Sequence, residues 1–119
     1  MNKTQQLDKL RQIAALLFDA RLARLKALAL AKLETEGHLA DLAGAPVHAP
    51  SLSEIAIEGV SLRYERWADA RRAELNLKLA RQTADWLDAQ GAARLAFGKT
   101  QALDGLHAKI LETSATKSV

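Results

Sequence analysis

The stretch Leu42-Ala43-Gly44-Ala45-Pro46-Val47-His48-Ala49-Pro50-Ser51-Leu52-Ser53-Glu54 holds both prolines of the chain and decides how the rest is read. Gly44 can take the left-handed conformation that ends a helix, and Pro46 lacks the N–H needed to continue one. Five residues after Pro46, Ser51-Leu52-Ser53-Glu54 has the spacing of a capping box, whose hydroxyl and carboxylate each satisfy an orphan backbone N–H. A helix therefore stops near residue 43, a connector covers 44–50, and a second helix starts at 51.

Outward from this connector the chain has no proline, and Ala and Leu, both strong helix formers, supply more than a third of its residues. The spacing predicts a first helix over 3–43, capped by Asn2 or Thr4, and a second over 51–112 with a frayed tail at 113–119. At about 1.5 Å per residue these reach roughly 60 and 90 Å. The predicted fold is all-α, a single helical domain over 1–119 with the two helices in an antiparallel coiled-coil hairpin. A three-helix bundle is the alternative if the second helix breaks near Gly91 or Gly98, since an interior Gly costs about 1 kcal/mol relative to Ala. Neither glycine has the Pro, Asn or Ser neighbours of a turn, which favours the hairpin.

Both helices carry two apolar stripes. In the first, Leu7, Leu10, Ala14, Leu17, Phe18, Leu22, Leu25 and Leu28 form one face and Ile13, Leu16, Ala20, Ala23, Ala27 and Leu30 another. In the second, Val60, Tyr64, Trp67, Leu75, Leu79, Trp86, Ala89, Ala93 and Leu103 make a stripe of mostly large residues. Ala70, Ala73, Leu77, Ala80, Ala84, Leu87, Gly91, Leu95, Gly98, Ala102 and Leu106 make a second of small residues and leucines. A two-helix pair hides one face of each helix. The other faces are expected to meet a third helix, another copy or a different protein, unless the second stripe is plain helix-forming surface. Between Arg71 and Leu79 two four-residue steps depart from a pure seven-residue repeat toward eleven-residue phasing.

Composition narrows the function. At 49% hydrophobic and 26% charged residues the chain is too apolar for disorder, and it lacks the long charge-free run of a membrane span. No signal peptide is read, because Asp19 interrupts the apolar run Ile13–Phe18. The absence of cysteine excludes disulfides and thiolate metal sites and suits a cytoplasmic protein. Residues 1–43 carry seven Lys/Arg against five Asp/Glu, and the remainder ten against nine. That interspersed balance argues against a nucleic-acid surface, and Arg21, Arg24, Lys26, Arg63, Arg66, Arg71 and Arg72 read as solvated coiled-coil flanks. Glu74 and Lys78 have the supportive four-residue spacing.

Chemistry-bearing motifs are sparse. His38, His48 and His107 fall in different segments, and Glu34 with His38 reads as a solvated pair, so no metal is expected. Ala96-Phe97-Gly98-Lys99-Thr100 ends like a phosphate-binding loop, but Ala93 stands where that loop needs its first glycine. The serines have no local base. The expectation is a protein without enzymatic activity and without a cofactor.

The ordering Tyr64-x-x-Trp67, then Leu75, Leu79 and Gln82, then Lys99-x-x-x-Leu103-x-x-Leu106, resembles the C-terminal helix of FliJ-type proteins of flagellar and related type III export systems. The resemblance covers about half the chain. It implies a cytoplasmic antiparallel coiled coil, peripheral at the inner membrane through its partners, that inserts into the hexameric export ATPase and touches the export gate or substrate chaperones. Tyr64, Trp67, Arg71 and Arg72 become candidates for partner contact, together with Leu77, Ala84, Leu87, Gly91, Leu95 and Gly98 of the second stripe. Against partner contact stands the plainer expectation that Tyr64 and Trp67 seal the hairpin core near the loop, with the Arg71 guanidinium stacked on the indole. The rival to export is a self-assembling structural coiled coil or adaptor.

Overall fold

The computed structural model describes residues 2–44 and 54–117. It is all-α: α1 spans Lys3–Ala43 and α2 spans Glu54–Lys117. Asn2 starts α1 as a reciprocal cap, its Oδ1 accepting from the Gln5 N–H at 2.8 Å while the Asn2 N–H donates to Gln5 Oε1 at 3.2 Å. Thr4 lies one residue inside the helix. At the other end the Gly44 N–H donates to the Asp41 carbonyl at 3.3 Å. The expected left-handed glycine is absent, since no described glycine has positive φ and a tightened last turn satisfies this carbonyl instead. Residues 51–53 of the expected capping box lie outside the described residues, as do His48 and both prolines.

α2 runs unbroken through Gly91 and Gly98, which excludes the break that a three-helix bundle requires. It also continues past the expected end at Glu112 to Lys117, with Thr113 Oγ1 and Thr116 Oγ1 turned back onto the carbonyls of Lys109 and Glu112. A Cβ added at Gly91, Gly98 or Gly105 meets nothing within 4 Å. These glycines are therefore demanded neither by backbone conformation nor by packing inside the chain.

The chain divides into two compact units, Met1–Leu28 with Trp86–Val119, and Ala29–Asp85. In each, a stretch of α1 pairs with an antiparallel stretch of α2. In the first unit Arg11 Nε meets Asp104 Oδ1 at 3.0 Å, Asp8 Oδ1 faces His107 Nε2 at 3.6 Å, and the rings of Phe18 and Phe97 lie 5.5 Å apart. The inward positions there are Leu7, Ala14, Leu25 and Leu28 from α1, with Ala89, Ala93, Ala96, Leu103 and Ile110 from α2. In the second unit Thr35 and Leu39 face Ala68, Leu75, Leu79 and Gln82. Leu75, 2% exposed, is the largest fully buried side chain. At roughly 25 cal/mol per Å² it contributes about 2 kcal/mol, against well under 1 kcal/mol for an inward alanine methyl group.

Inward residues of α2 recur at strict sevens, Ala68, Leu75, Gln82, Ala89, Ala96, Leu103 and Ile110, with Arg72, Leu79, Trp86, Ala93, Thr100 and His107 between them. The suggested drift toward eleven-residue phasing is corrected: Arg71 is exposed, and Arg72 takes its place in a regular alternation of three- and four-residue steps. Thr35, 1% exposed, donates through Oγ1 to the Ala31 carbonyl at 3.2 Å. The same carbonyl accepts from Gln82 Nε2 at 3.3 Å, which joins α1 to α2, while Gln82 Oε1 is buried without a partner.

Candidate functional site

The seam mixes leucines with small and polar residues, and many large apolar side chains lie outside it. Among the described residues, five of the seven buried hydrophobic side chains are alanines, whereas sixteen large hydrophobic side chains are exposed. The outer stripe of α1 expected from the sequence is outside throughout: Ile13, Leu16, Ala20, Ala23, Ala27 and Leu30. That of α2 is outside as well, from Ala70 to Leu106. The stripe expected to face inward is mixed, because Leu10, Leu17, Val60 and Trp67 are exposed.

The ten candidate residues do not converge on one site. In the second unit Tyr64, Trp67 and Arg71 line an open groove of about 380 Å³ with His38, Asp41, Leu42 and Leu75. The Tyr64 and Trp67 rings lie 5.7 Å apart and tilted at 40°, so their three-residue spacing does place them together. Only one of them packs inward, however. Tyr64 is half-buried, whereas Trp67 is 55% exposed, so the expectation that both rings seal the core is corrected for Trp67. The reason is the seven-residue register, which gives the inward position to Ala68 and turns its neighbour outward. Nor does Arg71 stack on the indole: its Nη1 pairs with Glu74 Oε2 at 3.3 Å, which also takes Glu74 from the expected pairing with Lys78. Arg72 Nη1 holds Asp69 Oδ1 at 2.8 Å. Glu34 and His38 do not pair, and His38 lines the groove.

Leu77 and Ala84 are exposed on the second unit, and Leu87, Gly91, Leu95 and Gly98 on the first. The first unit has a smaller notch of about 90 Å³ lined by Leu17, Arg21, Ala92, Leu95, Ala96 and Lys99. Of these residues the sequence marks only Leu95 as a candidate site residue, and Arg21 reads there as a solvated flank. The missing signal was one of register: Arg21 stands seven residues after Ala14 and seven before Leu28, at an inward position, yet is exposed.

Among the described residues no group of three His, Asp or Glu side chains is placed to hold a metal ion, and no helix is long and apolar enough to cross a membrane. Comparison of the chain with protein-family models, curated proteins and solved structures found no match.

Proposed function

We propose that this chain is a non-enzymatic helical hairpin that works by presenting its outer helix faces to other proteins. One observation carries the reading: among the described residues the buried hydrophobic side chains are mostly alanines, with Leu7 and Leu75, while sixteen large hydrophobic ones, Trp67 among them, are exposed. Exposed apolar surface of this extent on both helices marks an interaction surface, because a partner can recover part of the roughly 1.5–3 kcal/mol that full burial of each large side chain contributes. Such a protein acts by mechanical or allosteric coupling, with no bond made or broken.

The ordering of Tyr64, Trp67, Lys99, Leu103 and Leu106 supports an export-type ATPase hexamer as the partner, with the export gate or chaperones beyond it, in the cytoplasm at the inner face of the membrane. The test is co-purification with the export ATPase of the same genome and measurement of its turnover. Stimulation by the full chain is the expected result, and neither association nor stimulation would remove the export reading. A self-assembling coiled coil is the second reading, favoured by the presence of outer leucines on both helices. Light scattering separates the two, since a stable homo-oligomer with no effect on the ATPase supports self-assembly.

A further inference from the structure

We propose that the notch between Leu17 and Leu95 is the seat for an acidic amphipathic helix, one that inserts a branched aliphatic side chain between two carboxylates. The inference rests on the partner-presenting reading above and names the chemistry of the partner. The floor of the notch is apolar, formed by Ala92 and the buried Ala96, and its walls are Leu17, 37% exposed, and Leu95, 64% exposed. A volume of about 90 Å³ is on the scale of one aliphatic side chain.

The charges select the partner. Arg21 follows Leu17 by one turn of α1, and Lys99 follows Leu95 by one turn of α2, so each wall carries a cation one turn on. Because the helices are antiparallel, with Phe18 opposite Phe97 and Arg11 opposite Asp104, the cations fall at opposite ends of the notch. They are about five residues apart along the axis, or about 7.5 Å. Neither is in an ion pair among the described residues. Arg21 stands in the seven-residue line of Ala14, Leu28 and Thr35, yet is exposed. Its guanidinium is therefore open to a carboxylate arriving from outside. A third helix laid over the notch presents an aliphatic side chain with carboxylates three and four residues to either side of it.

The test uses the full chain and a displayed library of 20-residue amphipathic helices randomised beside a central aliphatic position. Enrichment of Asp or Glu within one turn on either side of Leu, Ile or Val is expected, together with at least tenfold weaker binding of the selected peptides to R21E/K99E. The charge-reversed variant should in turn select Lys and Arg. R21A/K99A serves if the reversed pair perturbs folding, and should weaken the acidic peptides about tenfold. Enrichment without charge preference, equal binding to the variants, or occupation of the notch by a second copy of the chain would each overturn the proposal. Loss of ATPase coupling with acidic-peptide binding intact would remove the export reading and leave this site standing.

Discussion

The Phe18 ring meets Phe97 across the antiparallel pair at 5.5 Å between centroids, with the ring planes tilted by 53°. A tilted pair at this separation lies within the range in which aromatic contacts contribute beyond the area they cover. It makes the first unit, and not the Tyr64–Trp67 pair, the place where aromatic side chains fasten one helix to the other. Tyr64 and Trp67 touch each other from the same helix.

Truncating these rings should therefore have unequal effects. Phe18→Ala removes a half-buried ring with its cross-helix partner and is expected to cost about 2 kcal/mol, below the 3–5 kcal/mol of a fully buried aromatic. Trp67→Ala should cost less than about 1 kcal/mol, as for other exposed positions. Urea unfolding followed by circular dichroism compares them directly, and a larger loss for Trp67 would contradict the placement of the two rings.

Exposure of Trp67 has a spectroscopic consequence as well. With Trp86→Phe removing the other indole, the remaining Trp67 should emit as a solvated side chain and be quenched readily by iodide. A blue-shifted, protected emission would mean that the ring is covered.

Gln82 occupies an inward position and holds the Ala31 carbonyl at 3.3 Å, but leaves its own Oε1 buried and unpaired. An unsatisfied buried acceptor costs about 1–3 kcal/mol. Gln82→Leu removes that cost and adds apolar surface to the seam, at the loss of one modest hydrogen bond. The variant should be more stable by about 1 kcal/mol, and a fall in the urea midpoint would show that the hydrogen bond outweighs the orphaned oxygen.

Gly91 and Gly98 sit in the interior of α2, with open space where a Cβ would stand. Replacing both with Ala should raise stability by up to about 2 kcal/mol, following helix propensity alone. Unchanged or lowered stability would indicate a constraint on these positions that the helix does not reveal.

Much of this architecture is legible from the chain. Asn2 and Gly44 bracket the first helix, and three- and four-residue spacing separates Leu7 and Ala14 on the inward face from Ile13 and Leu16 on the outer one. The seam of α2 was harder to read because residue size misleads there. Trp67 and Val60 look like core, but the sevenfold recurrence of Ala68, Leu75, Gln82, Ala89 and Ala96 fixes the inward line. Helices that meet through alanine approach closely, and bulky neighbours then turn outward. Arg21 and Arg72 were equally hidden, since each stands at an inward position and a charge there reads as surface. The groove at Tyr64 and the notch at Leu95 are properties of pairing, which one helix at a time does not disclose.

The central claim is that the outer leucines serve association and not folding, and Leu87→Glu combined with Leu95→Glu tests it most directly. Both side chains are exposed. The account predicts a double variant with helicity unchanged and unfolding free energy within about 0.5 kcal/mol of the parent, but with partner association, read as co-purification and stimulation of the export ATPase, lost. An unfolded variant, or one that associates and stimulates as well as the parent, would contradict it.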